Sequence, residues 1–303
     1  MRRLILDTDI GGDVDDALAL ALCVRHPGID LRAVTTVSGD TALRARITAR
    51  LLQLAGRDDI EVAAGEPSVG QPSGRPFDLY HGGLLDGVDV GAASVSKRTA
   101  LEVLLEADQS VTVATIGMQT NVAGALAQDA DFTVEQLTVM GGFFQPMMVY
   151  SRPVPPDSDY NLNTDAAASV RSLNAGLPTL YIPCDVTFGT FMTTAQLDRL
   201  RHSGDPLCEA VAGMIDIWTP ALRKMTGRRM PDDHVTMLHD PLAVACTVDG
   251  SFVTVERMPV TAALVGDHVR TFVDPIEGHD AEVVTSVDNA AFSEWLVDTL
   301  IST

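Results

Sequence analysis

Short apolar runs alternate along this chain with longer segments of helical period, and turn residues divide them. Leu4-Ile5-Leu6 has the pattern of a buried strand, Gly11-Gly12 permits a tight turn, and Ala17-Leu18-Ala19-Leu20-Ala21-Leu22 continues as a helix. The order recurs: strand-like 31–37, helical 41–55, strand-like 61–64, strand-like 111–116, helical 120–127, strand-like 137–140, helical 166–174, strand-like 179–182, and a helix opening near Thr193. Repetition of strand, helix, strand predicts an α/β fold, a mixed but mainly parallel central sheet covered by helices on both faces in the Rossmann-like manner. The last third is less regular, with a helix over 207–225, another after His239, a β-rich stretch over 252–273 and a closing helix over 289–300. No Pro/Gly/Ser-rich linker or charge run divides the chain, so one domain over residues 1–303 is expected.

Polar residues gather where that pattern places strand ends, and there the chemistry begins. In Asp7-Thr8-Asp9-Ile10-Gly11-Gly12-Asp13-Val14-Asp15-Asp16 five carboxylates fall within ten residues, directly behind the first strand. Asp7 and Asp9 are expected on one side of an extended segment, and Asp15 and Asp16 in the first turn of the helix. Capping explains one or two acids there, since a helix N-terminus favours negative charge, but not five. A bound divalent cation with oxygen ligands offsets such mutual repulsion. An EF-hand is a poor alternative, because the twelfth position counted from Asp7 is Leu18 rather than a bidentate glutamate.

Further polar clusters follow later strands: Ser38-Gly39-Asp40, Gly117-Met118-Gln119-Thr120-Asn121 and Gly141-Gly142. Two more, Asp157-Ser158-Asp159-Tyr160-Asn161-Leu162-Asn163 and His239-Asp240-Pro241, lie in less regular parts. Open α/β sheets bind ligands at the carboxyl ends of their strands, so these clusters are candidates for one site. Gly141-Gly142 as a turn and Thr120 as a helix cap need no further role.

Composition narrows the partners. A formal charge of −20 and a pI near 4.5 argue against a polyanion such as nucleic acid or an anionic membrane surface, and suit a small neutral or cationic ligand. Cys23, Cys184, Cys208 and Cys246 are isolated in apolar surroundings with no CxxC pair, which reads as reduced core cysteines. Met1-Arg2-Arg3 precedes only a short apolar run and no stretch is long enough to span a bilayer, so a cytoplasmic location is expected.

Four segments in order carry a resemblance across essentially the whole chain: DTDIGGDVDDALAL from Asp7, YHGGLLDG over 80–87, IGMQTN over 116–121 and HDPLAVA over 239–245. The chain resembles the calcium-dependent nucleoside hydrolases, the inosine/uridine-type N-ribohydrolases. The resemblance implies Ca2+ held by Asp9, Asp16, Asp240 and the backbone carbonyl of Ile116, with Asp9 also taking the proton of the attacking water. It implies that Asp15, Asp159 and Asn161 bind the ribose hydroxyls, with Asp40 standing where an asparagine is usual and Asp159 where a glutamate is usual. Asp13 is an alternative to Asp15, since Gly12-Asp13-Val14 intervene where the family motif carries a single residue. Pro153 to Pro156 occupy a region where the family carries another asparagine. His239, beside Asp240 and able to titrate near neutrality, is the expected proton donor to the departing base. His81 resembles a second family histidine near the base, and a homodimer or homotetramer is the expected assembly.

Base preference is carried less clearly. Of the two tryptophans, Trp295 belongs to a closing amphipathic helix and reads as core, whereas Trp218, with Met214, Met225 and Met230, lies ahead of His239 where it could cover a pocket. His239 itself points to the nonspecific or pyrimidine-preferring type. Two other classes fit parts of the pattern. A phosphatase of the haloacid dehalogenase type would use Asp7 as nucleophile, but it needs a downstream lysine, and the chain has only Lys97 and Lys224. A noncatalytic ribose- or calcium-binding homologue would be signalled by loss of Asp9 or Asp240, and both are present.

Overall fold

The computed structural model describes residues 1–66, 94–227 and 229–302. In chain order its elements are β1 (Arg2–Thr8), α1 (Asp15–Arg25), β2 (Ile29–Thr36), α2 (Thr41–Leu54), β3 (Glu61–Ala64), α3 (Ala100–Leu105), β4 (Thr112–Thr115), α4 (Thr120–Gln128) and β5 (Gln136–Met140). A hairpin of β6 (Met147–Val149) and β7 (Arg152–Val154) follows, then α5 (Tyr160–Thr164), α6 (Ala166–Leu173), β8 (Thr179–Ile182), α7 (Cys184–Thr187), β9 (Phe191–Thr193) and α8 (Thr194–Arg201). The chain closes with α9 (Pro206–Met225), β10 (His234–Met237), α10 (His239–Ala245), β11 (Val253–Val265), β12 (His268–Val273), β13 (His279–Val287) and α11 (Asn289–Ile301).

The main sheet has the order β12-β11-β13-β8-β5-β4-β1-β2-β3. Pairing from β13 through β8, β5, β4, β1 and β2 to β3 is parallel throughout, and only β11 runs against its neighbours. The mainly parallel α/β arrangement expected from the alternation is therefore the one observed. Alternation along β1 divides the core: Leu4 and Leu6 face the layer that contains α1 and α10, and Ile5 faces the opposite layer with Val122 of α4. Helix α1 is buried from Asp15 through Cys23, as its Ala/Leu run on every face requires.

Two regions go beyond the sequence pattern. The β-rich stretch is the β11–β12 hairpin, and β13, which pairs parallel with β8 and so joins that hairpin to the sheet, had no clean alternation to announce it. The β6–β7 hairpin turns at Tyr150 (φ 47°) and Ser151 (φ 65°), a left-handed pair without the glycine or asparagine that marks such turns. Among the described residues no helix is long and apolar enough to cross a membrane. All four cysteines are unpaired.

Candidate active site

A cavity of about 530 Å³ opens beyond the carboxyl ends of β1, β4 and β5. Asp9, Asp13, Asp15, Asp16, Asp159, Asn161, Asp240 and His239 all line it, together with Ile116 and Met140. The β6–β7 hairpin adds Tyr150 and Arg152, and α9 adds Trp218, Leu222 and Met225. One site thus receives polar residues from four separate stretches of chain, and apolar ones from α9.

The acids arrive on two helices. Among the described residues, α1 packs against α10 as one of the closest helix pairs, and the two first turns present Asp15, Asp16 and Asp240 to the same space. The backbone N–H of Asp240 donates to Asp15 Oδ2 at 3.3 Å, and the Thr8 hydroxyl donates to Asp16 Oδ1. Carboxylate oxygens of Asp13, Asp15 and Asp16 lie within 4.8 Å of one another. Burial, and then the charge of their neighbours, pushes the Asp15, Asp16 and Asp240 carboxyls well above the ordinary carboxylate range. Arg44, whose charge lowers Asp13 and Asp16, spends its guanidinium on the backbone carbonyls of Ser38 and Ile10. A buried set of hard oxygen donors with so little compensating charge has the chemistry of a Ca2+ or Mg2+ site.

Asp159 and Asn161, two residues apart at the start of α5, both line the cavity. Asp159 caps α5, accepting from Leu162 N at 3.0 Å, and its other oxygen accepts from Gly142 N at 2.6 Å. Gly142 is therefore more than a turn residue: with φ at 98° it aims its N–H at a cavity carboxylate. Burial pushes Asp159 up to about 6, against the lowering effect of those two bonds. The Asn161 amide donates to the carbonyls of Ile116 at 2.9 Å and Met140 at 3.2 Å, fixing the strand-end carbonyl that the resemblance assigned to a metal.

His239 opens α10 with Nδ1 2.8 Å from Thr187 Oγ1 and the Phe188 ring edge-on at 4.8 Å. Although the ring edge opens to the cavity, burial of the rest lowers its pKa to about 4. Burial thus favours the neutral imidazole over the imidazolium, against the expected titration near neutrality.

Other expected residues lie elsewhere. Asp7 falls within β1 rather than past its end, so alternation turns it to the opposite layer from the cavity, where it accepts from Thr35 Oγ1 at 2.6 Å and Asn121 Nδ2 at 2.7 Å. It is fully buried and absent from the cavity lining, which removes the reading of Asp7 as a phosphatase nucleophile. Asp40 is exposed, caps α2 through Leu43 N at 2.9 Å and does not line the cavity. His81 and the YHGGLLDG segment lie outside the described residues. Trp218 is buried against the cavity and Met225 lines it, whereas Met214 and Met230 are core, and Trp295 packs on Phe252 and His26. Sequence reading missed Thr187 and the hairpin residues Tyr150 and Arg152, because nothing local ties them to a strand end.

Residues 4–294 match the family model described as inosine-uridine preferring nucleoside hydrolase. The chain is 30% identical over 321 residues to a pyrimidine-specific ribonucleoside hydrolase RihA of Salmonella arizonae, covering 98% of this chain and 97% of that one. A probable uridine nucleosidase 2 of Arabidopsis thaliana is 26% identical, with 99% and 98% covered. Among solved structures, a plant nucleoside hydrolase, PpNRh1, superposes with a TM-score of 0.84 at 24% identity over 100% of this chain and 99% of that one. A purine-preferring ribonucleoside hydrolase from Gardnerella vaginalis gives 0.80 at 21% identity, with 99% and 98% covered, so both share the fold.

Proposed function

Because the chain belongs to the inosine-uridine preferring nucleoside hydrolase family, we propose a division of labour among its cavity residues for the reaction that family membership establishes. The protein is a nucleosidase: it hydrolyses the N-glycosidic bond of ribonucleosides to free base and ribose. The observation that carries the assignment of roles is the meeting of Asp9, Asp15, Asp16, Asp240 and His239 in one cavity, from β1–α1 on one side and α10 on the other.

The donor set fits a hard divalent cation, and we assign Asp9, Asp16, Asp240 and the Ile116 carbonyl to hold Ca2+. Asp13 stands close enough to contribute as well. Bound there, the ion would offset the carboxylate charge and acidify a water molecule. Asp9 takes a proton from the attacking water as the water's oxygen bonds to the anomeric carbon. The electron pair of the breaking C–N bond leaves with the base, and the positive charge that builds on the sugar is met by the surrounding carboxylates, as in other glycoside cleavages. Asp15, Asp159 and Asn161 orient the ribose through its hydroxyls. His239 presents a ring N–H to the departing base, so that the charge arriving there is met by a hydrogen bond. A neutral imidazole is suited to that role.

Pyrimidine nucleosides are the proposed preferred substrates, supported by His239 and by the pyrimidine and uridine specificities named for relatives that span nearly the whole chain. Trp218, Phe188 and Tyr150 offer aromatic surface to the base. We place the enzyme in the cytoplasm, in keeping with its unpaired cysteines, and assign it the homodimer or homotetramer that the resemblance implies. The test is ribose release from uridine, cytidine, inosine, adenosine and guanosine, each with calcium and with a chelator. Calcium-dependent release, fastest from uridine or cytidine, is the expected result. Calcium-independent release would remove the metal assignment, and faster release from purines would remove the base preference.

A further inference from the structure

His239 is held from behind by a residue to which neither the sequence motifs nor the reaction assigns a part. Thr187 ends α7 with its side chain fully buried, and its hydroxyl lies 2.8 Å from His239 Nδ1. The backbone around it is tied independently of that hydroxyl. The Thr187 carbonyl accepts from Thr190 N at 2.9 Å and Thr190 Oγ1 at 2.6 Å, and the Thr190 carbonyl accepts from Leu238 N at 3.4 Å, the residue just before His239. Phe188 meets the ring edge-on at 86°, closing off rotation from one side. The imidazole therefore has one nitrogen committed to α7 and the other left for the cavity.

We propose that Thr187 is a positioning residue that donates its hydroxyl hydrogen to His239 Nδ1, fixing the ring proton on Nε2 and aiming that N–H at the departing base. A neutral imidazole carries one N–H, and which nitrogen bears it is set by the partner of the other. A hydroxyl donating to Nδ1 makes Nε2 the donor, the tautomer needed to meet charge developing on a leaving base. The reverse tautomer would offer the base a lone pair. The inference rests on the reading of His239 as the leaving group's partner, and it adds the residue that makes that reading work.

Two substrates separate the roles: uridine, whose base leaves poorly, and p-nitrophenyl riboside, whose leaving group needs no hydrogen bond from the protein. Thr187→Val keeps the branched shape and removes the hydroxyl. It is expected to lower kcat on uridine about tenfold or more while changing kcat on p-nitrophenyl riboside by less than about threefold. Thr187→Ser restores the hydroxyl and is expected to track the parent on both. Equal loss on both substrates, or no loss on uridine, overturns the inference. The same pair of assays on His239→Ala tells the two failures apart. Leaving-group-dependent loss there without any in Thr187→Val overturns the inference alone, and equal loss there overturns the reading of His239 and the inference with it. Should Thr187→Val fail to fold, 15N NMR of the His239 ring in the unaltered protein decides: the Nε2–H tautomer is expected, and an Nδ1–H tautomer overturns the proposal.

Discussion

At Gly117 a side chain has no room, since a Cβ there would lie 2.8 Å from Val37 Cγ1 and 2.9 Å from Asp9 Oδ1. Only a bare backbone lets the turn between β4 and α4 pass beside Asp9, so Gly117→Ala is expected to displace that carboxylate. A fall in kcat on uridine of about tenfold or more, with a smaller change in KM, is the expected steady-state result. An unchanged kcat would show that Asp9 does not depend on this approach. Asp159 makes a second prediction at this scale. With its pKa raised to about 6, it is an acceptor on both oxygens above that pH and loses one acceptor position as pH falls through it. KM for uridine is expected to rise on acidification through about 6, and that inflection is expected to be missing in Asp159→Asn. Asp9, Asp15, Asp16 and Asp240 were legible in the sequence because each stands in a short motif beside a strand end or helix start. Thr187 and the Gly142 N–H were not, because their roles arise from contacts 52 and 17 residues away.

At the scale of elements, the closeness of α1 and α10 decides where the acids meet. Ala17, Ala19 and Ala21 on α1 and Ala243 and Ala245 on α10 are fully buried, and such small residues permit close helix approach. Enlarging one of them should push the pair apart: Ala243→Leu is expected to cost about 1–3 kcal/mol in urea unfolding and to weaken calcium binding measured by calorimetry. Unchanged calcium affinity in a destabilised variant would mean that the acids tolerate the displacement. The parallel strands through β8 and the helices α1, α2, α4 and α6 were legible because each such strand is a short apolar run bounded by turns, whereas α3, α5 and the β6–β7 hairpin were not. The later elements were less so. β13 finds its place by pairing with β8, about a hundred residues earlier, and no turn chemistry within either segment reports such a partner.

For the whole molecule, the raised carboxyls link stability to both pH and cation. Without a cation, folded Asp15, Asp16 and Asp240 retain protons that the unfolded chain has already lost above its ordinary carboxylate pKa. The folded state then binds more protons than the unfolded one, so stability falls as pH rises from that ordinary value through the raised folded values. Calcium favours the ionised forms and offsets this loss. Thermal melts with chelator are expected to fall between pH 5 and pH 8, and calcium is expected to raise the midpoint more at pH 8 than at pH 5. Equal calcium shifts at both pH values would separate the ion from these carboxyls. The cavity's own construction has a further consequence. Its reactive carboxylates and imidazole come from β1–α1 and α10, whereas Trp218, Leu222, Met225, Tyr150 and Arg152 come from α9 and the β6–β7 hairpin. Those two contributions are separate stretches of polypeptide, so a protein engineer can randomise the second to admit unnatural nucleobases or masked drug conjugates while leaving the bond-breaking apparatus untouched.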